Sequence, residues 1–195
     1  MWICFVGDSL VNGTGDPEYL GWTGRICAAA RKAGRDITCY NLGVRRETSA
    51  DIRACWLREV SRRLPAGCDG GVVFSFGIND TTWEGGAPRV AVADSVEHTR
   101  RILITARRRF PVLMIGPSPV TDAKQNLRIA GLSRRFAFIC RELEVPYLEV
   151  FTPLAASETW MREVAANDGS HPGSAGYSEL ARLVQDWPPW LSWFK

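Results

Sequence analysis

The chain predicts a three-layer α/β/α domain, with a five-stranded parallel sheet between two layers of helices. Three observations predict it. Short β-rich runs alternate with longer helical stretches from one end to the other. Several of the runs are apolar almost throughout, as parallel strands covered on both faces are. No linker, repeat or low-complexity segment divides the 195 residues, a length that suits one domain over 1–195.

The elements follow in order. WICFV (2–6), ITCYNL (37–42), GVVFSF (71–76), VLMIG (112–116) and PYLEV (146–150) read as strands. GWTGRICAAARKAG (21–34) reads as a helix ending in glycine. TSADIRACWLREVSRRL (48–64) opens with the cap formers Thr48 and Ser49 and carries Ile52, Cys55, Trp56 and Val60 at helical spacing. Stretches 88–109, 124–144 and 173–186 read as three further helices. Right-handed crossovers join the parallel strands.

Composition narrows the function classes. With 46% apolar and 23% charged residues, the balance is that of a soluble globular protein, and a net charge of +3 is too small to suggest nucleic acid. No apolar run is long enough to span a membrane, and Met1–Val6 is too short for a signal-peptide core. The six cysteines are scattered, with no C-x-x-C pair and no cysteine–histidine cluster, so free buried thiols and a cytoplasmic location are expected.

In open α/β sheets the ligand site lies beyond the carboxyl ends of the strands. There the sequence places Gly7-Asp8-Ser9-Leu10, then Asn41-Leu42-Gly43, then Gly77-Ile78-Asn79-Asp80. Past the last strand comes Asp168-Gly169-Ser170-His171-Pro172. A serine hydroxyl needs a base to become a nucleophile, and histidine titrates in the right range. Of the two histidines, His98 falls within a long helix and reads as a surface residue, whereas His171 sits in a loop three residues after Asp168. A chain bending back across Gly169 brings that carboxylate to one ring nitrogen and leaves the other for Ser9. Oxyanion donors are available as the N–H groups of Ser9 and Gly43 and the side-chain amide of Asn79. Asp8 is expected to hydrogen-bond within the serine loop rather than to take part in chemistry.

Together these blocks resemble the GDSL family of serine esterases, also called SGNH hydrolases. Gly-Asp-Ser-Leu matches the serine block, Asn41-x-Gly43 with Thr48 the glycine block, Gly77-x-Asn79-Asp80 the asparagine block and Asp168-x-x-His171 the last. GWTGRI at 21–26 also looks like the Gly-Trp stretch of small bacterial members. The resemblance implies a flavodoxin-like fold with sheet order 2-1-3-4-5, catalysis by Ser9, His171 and Asp168, an oxyanion hole of Ser9, Gly43 and Asn79, and no metal or organic cofactor. One departure is Arg46, where many relatives carry glycine. It implies a different path for the loop after strand two, with Arg45 and Arg46 toward substrate.

Trp22, Trp83, Pro117, Val120 and Trp160 are further candidates to line a substrate pocket, each with core or rim packing as the equal alternative. The tail WPPWLSWFK (187–195) is too aromatic to remain in water, and docking onto the domain's own helices is favoured over a subunit interface in a homo-oligomer. The expected activity is hydrolysis of small or short-acyl carboxylic esters through an acyl-enzyme. Carbohydrate acetylesterase, lysophospholipase and thioesterase variants all remain open. The competing reading is a non-catalytic α/β module that binds a phosphate-bearing ligand or protein partner through the same loops. No Gly-rich P-loop or dinucleotide fingerprint supports it.

Overall fold

The computed structural model describes residues 1–194; Lys195, the last residue of the aromatic tail, lies outside it. Five parallel strands form the sheet: β1 (Trp2–Gly7), β2 (Thr38–Gly43), β3 (Gly70–Ser75), β6 (Val112–Ile115) and β7 (Tyr147–Leu148), in the order β2-β1-β3-β6-β7. Two short strands, β4 (Trp83–Glu84) and β5 (Ala87–Pro88), pair as a separate antiparallel hairpin. Setting the hairpin aside, this is the 2-1-3-4-5 sheet expected from the sequence.

The near-continuous hydrophobicity of β1 follows from its central place. Its alternate side chains enter two different cores: Ile3 and Phe5 join one, Cys4 and Val6 the other. The first core is closed by α2 (Gly21–Lys32), α7 (Glu158–Ala166) and α8 (Ser174–Gln185), which contribute Trp22, Ile26, Trp160, Val164, Tyr177 and Leu180. The second is closed by α3 (Ser49–Ser61), α4 (Val92–Arg107) and α5 (Ala123–Glu142), through Ile52, Trp56, Ile102, Leu103, Leu132 and Phe136. Helix α3 starts with a reciprocal capping box between Thr48 and Asp51, and Asp122 caps α5 through the Gln125 N–H. Both faces of the sheet are therefore dry, and its carboxyl edge is left for function.

Several boundaries differ from the expectation. The helix expected from residue 88 starts at Val92, because Glu84-Gly85-Gly86-Ala87 turns the chain into the hairpin. Gly85 and Gly86 have φ values of 60° and 86°, the two positive angles a tight hairpin turn requires. The last strand is only two residues long, and Phe151–Ala155 immediately forms α6. Short helices α1 (Ser9–Asn12) and α9 (Pro188–Ser192) complete the set.

The aromatic tail docks on its own domain. Trp190 is 2% exposed and lies 6.3 Å from Phe5 and 5.0 Å from Phe194, ring centre to ring centre. Only Cys4 and Cys140 are buried; the other four thiols are half-buried, and none forms a disulfide among the described residues. No helix among the described residues is long and apolar enough to cross a membrane.

Candidate active site

Ser9 is the first residue of α1, directly past the end of β1, and is 5% exposed. Asp8 caps the helix by accepting the Leu10 N–H through Oδ1 at 3.0 Å. Its other oxygen, Oδ2, is buried without a hydrogen-bond partner among the described residues. Burial raises the Asp8 carboxyl to about 7, the Leu10 N–H opposes that shift, and the nearby Asp80 carboxylate adds to it.

His171 sits in the loop between α7 and α8 and is 7% exposed. Its Nδ1 lies 2.7 Å from Asp168 Oδ2 and its Nε2 lies 2.7 Å from Ser9 Oγ. A carboxylate only accepts, so Nδ1 carries the ring proton and Nε2 is left as the acceptor facing the serine. The remaining Asp168 oxygen, Oδ1, accepts the backbone N–H groups of Ser170 and His171, each at 3.0 Å, which fixes the loop as well as the ring. Burial pushes the Asp168 carboxyl up, but the hydrogen bond from His171 and those from the loop amides outweigh it, and its pKa is lowered. Asn167 Nδ2 donates to the His171 carbonyl at 3.2 Å, and the Thr121 N–H donates to the Gly169 carbonyl at 2.9 Å.

Asn79 opens a single 3₁₀ turn, Asn79–Thr81, after β3. Its Nδ2 donates to the Glu47 carbonyl at 2.9 Å, and an amide nitrogen carries a second hydrogen for another acceptor. The same turn is anchored from below. Asp80 is 1% exposed, accepts the Ser49 N–H at 2.8 Å and takes a hydrogen bond from the Ser95 hydroxyl. His98, expected on a helix surface, is half-buried, with Nδ1 3.0 Å from Ser49 Oγ. It belongs to this support and lies apart from the Ser9 cavity.

Gly43 is not placed as expected. Its N–H donates to Asn41 Oδ1 at 3.0 Å, and the residue borders a separate cavity, shared with Trp56 and Cys55, and not the Ser9 cavity. A Cβ there would stand 2.3 Å from the Asn12 nitrogen and 2.7 Å from the Asp8 carbonyl, so the glycine lets β2 end close beneath α1. The residue of this loop that borders the Ser9 cavity in a glycine-like conformation is Arg46, with φ 71°.

That cavity, about 190 Å³, is bordered by Ser9, Asn79, Asp168, His171, Arg45 and Arg46, and by three residues that sequence reasoning missed: Thr82, Glu84 and Arg89. The missed residues come from the hairpin and its flanks, and the Gly85-Gly86 pair after the asparagine block was the signal for it. Arg46 pairs with Glu84 at 2.8 Å, which ties the β2 loop to the hairpin across the cavity.

The other candidates for substrate lining lie elsewhere. Trp22 and Trp160 are fully buried core residues; Trp22 packs edge-on against Phe5, 5.6 Å between ring centres. Pro117 and Val120 are buried in the loop after β6, which bears on the site only indirectly: Trp160 Nε1 donates to the Pro119 carbonyl at 3.1 Å, and Thr121 holds Gly169. Trp83 is exposed on the hairpin, with the Arg128 guanidinium 5.4 Å from its ring centre. The large aromatics filled the core because that is where their area is best removed from water. The cavity wall is mostly polar.

Comparison with solved structures matches this architecture. A lipase/acylhydrolase from Enterococcus faecalis superposes with a TM-score of 0.76 at 20% identity, covering 94% of this chain and 93% of that one. The acetylxylan esterase Axe2 from Geobacillus stearothermophilus gives 0.76 at 19% identity over 93% and 91%. TesA gives 0.78 at 21% identity over 99% of both chains. No curated protein sequence matches the chain. These likenesses establish the fold. The sequence itself matches the GDSL-like Lipase/Acylhydrolase family over residues 5–178, which takes in every block from Ser9 to His171, and the chain belongs to that family.

Proposed function

We propose that this protein is a serine esterase that hydrolyses short-acyl carboxylic esters through an acyl-enzyme. One observation carries the reading: His171 stands between Ser9 and Asp168, 2.7 Å from each. Ser9 Oγ attacks the ester carbonyl while Nε2 takes its proton. Asp168 holds the ring and stabilises the imidazolium that results. The tetrahedral oxygen is held by the Ser9 N–H, by the second hydrogen of Asn79 Nδ2 and by the N–H of Arg46, which takes the part expected of Gly43. Collapse expels the alcohol with the proton returned by His171. A water activated by the same nitrogen then frees the acid and regenerates Ser9.

The cavity volume supports a short acyl group. At about 190 Å³ it is smaller than the roughly 300–1,000 Å³ typical of drug-sized ligand sites. The esterases among the similar folds, Axe2 included, agree with the reaction class. Labelling with a fluorophosphonate, followed by peptide mapping, is expected to modify Ser9. A panel of p-nitrophenyl esters is expected to show turnover falling as the acyl chain lengthens from acetate. An unlabelled Ser9 with no ester turned over would instead support the non-catalytic binding module.

A further inference from the structure

The hydrolysis leaves unused a set of charges that border the Ser9 cavity. We propose that Arg45 and Arg89 form an anion site beside the nucleophile, and that the ester substrates carry a negatively charged group, carboxylate or phosphate, close to the scissile bond. The substrate class rests on the esterase reading above; the anion site does not.

Three arginines border the cavity, Arg45, Arg46 and Arg89, against the carboxylates of Glu84 and Asp168. Glu84 lies between two guanidiniums, 2.8 Å from Arg46 and 3.7 Å from Arg89, and one carboxylate cannot neutralise both. Arg45 lies 3.6 Å from Asp168 Oδ2, longer than a hydrogen bond, and that oxygen already receives the His171 ring proton. The Arg45 guanidinium therefore keeps its donors for another acceptor. Among the described residues the one further acid at the cavity is Asp8; burial raises its carboxyl to about 7, so near neutral pH it is only partly ionised and does not offset the third arginine in full. The surplus is positive, inside a small concave site where field lines concentrate.

The two arginines come from separate elements that hold them in place. The turn bearing Arg45 is fixed by the Val44 N–H on the Gly7 carbonyl at 3.0 Å. Arg89 follows the hairpin, with its own N–H on the Thr82 carbonyl at 2.9 Å and its side chain only 19% exposed. A planar guanidinium presents paired donors that match the oxygens of a carboxylate or phosphate, so two of them at one rim suit an anion better than a neutral alcohol.

The test uses para-acetoxybenzoate and its methyl ester, which share acetyl group and ring and differ by one charge. Calorimetric titration into the Ser9→Ala protein reads recognition without hydrolysis. The anion is expected to bind about tenfold more tightly than the methyl ester at low salt, with the preference shrinking as salt is added. Arg45→Gln and Arg89→Gln in the same background are each expected to reduce it to within about threefold. Arg89 is largely buried, so its variant is checked by circular dichroism; Arg45 is 63% exposed, and its variant carries the test if the other misfolds. Equal binding of the two ligands, no saturable binding of the anion, or a preference that survives Arg45→Gln would overturn the proposal. Turnover of the two esters by the wild type reads the esterase function separately. Failure of both to turn over with the binding preference intact would sink the hydrolase and leave the anion site standing.

Discussion

His171 Nε2 lies 2.7 Å from Ser9 Oγ, although 162 positions separate the two residues. The contact marks a serine in the first turn of a short helix as a candidate nucleophile, and it predicts an ordered set of losses. Ser9→Ala and His171→Ala are each expected to lower kcat on p-nitrophenyl acetate by at least about a thousandfold. Asp168→Asn keeps an acceptor near the ring but no longer enforces the Nδ1–H tautomer, and a loss of about a hundredfold to ten-thousandfold is expected. Purified variants assayed with active-site titration check this. A His171→Ala protein with wild-type turnover would remove the basis of the mechanism.

Asn79 is expected to behave differently from the triad. Its Nδ2 already holds the Glu47 carbonyl at 2.9 Å, and in the proposed mechanism its second hydrogen meets the oxyanion. Asn79→Ala is expected to lower kcat by about a hundredfold to a thousandfold with KM little changed, since the charge it meets develops only in the transition state. The variant also strips the Glu47 carbonyl of its donor, at about 1 kcal/mol of stability. Steady-state kinetics beside urea denaturation separate the two effects. A rise in KM alone would mean that Asn79 binds the ground state.

Some of this site was legible in the sequence because it depends on short-range chemistry. Asp168 reaches His171 within one turn of chain, and Asp8-Ser9 at a strand end is an ordinary helix-opening pattern. Other parts depend on where distant backbone passes. Arg46 and Gly43 are three residues apart in one loop, and choosing which of them borders the cavity required knowing that β2 ends against α1. Gly43 is glycine for packing, while Arg46 accepts a left-handed backbone despite its side chain. Tryptophans near the motifs read equally as pocket or core, and Trp22 and Trp160 went to the core because helices α2 and α7 turn them onto the sheet. Arg89 was hidden for a simpler reason: the helix pattern was extended back over the hairpin that delivers it.

The contrast within that loop gives a third prediction. Gly43→Ala places a methyl 2.3 Å from the Asn12 nitrogen, a backbone atom that cannot rotate away. The start of α1, and with it Ser9, must shift. A loss of about 2 kcal/mol is expected, together with a fall in kcat as the Ser9–His171 distance changes. Urea denaturation and kinetics on the same preparation check it. Full stability in Gly43→Ala would show that β2 and α1 are not in the contact described.

Asp16 predicts an acid-sensitive tie between the start of α2 and α8. Its buried carboxylate accepts the N–H groups of Gly21 at 2.8 Å and of Glu18 and Leu20 at 3.2 Å, the Ser174 hydroxyl at 3.0 Å, and the Arg25 guanidinium. Burial acts to raise its pKa, but the Arg25 and backbone donors prevail and lower it to about 2. An acid depressed on folding stabilises the protein above its ordinary value of 3.8 and loses that contribution as pH falls toward about 2. The contribution is about 2 kcal/mol at neutral pH. Asp16→Asn is expected to cost about 3 kcal/mol near pH 7, because it leaves the largely buried Arg25 with only the exposed Glu18 carboxylate, 2.7 Å away, as a charged partner, and less near pH 3. Denaturation at the two pH values checks this; a penalty independent of pH would mean that the charge on Asp16 contributes nothing.

Asp8 predicts the opposite slope. Its carboxyl is raised from 3.8 to about 7, mainly by burial, so the folded state holds a proton that the unfolded chain releases. Stability attached to that proton is complete below about pH 4 and is lost progressively as pH rises through about 7. The shift sets an upper bound of about 4 kcal/mol. Asp8→Asn keeps an oxygen for the Leu10 N–H, now at 3.0 Å from Oδ1, and cannot ionise. Its amide leaves a buried donor without a partner, but so does the protonated acid it replaces. The variant is therefore expected to match the wild type near pH 4 and to exceed it by about 1–2 kcal/mol near pH 8, with the difference appearing between those values. Thermal or urea denaturation across that range checks it. Parallel curves for the two proteins would mean that the carboxylate next to Ser9 is ionised throughout, held by a partner at Oδ2.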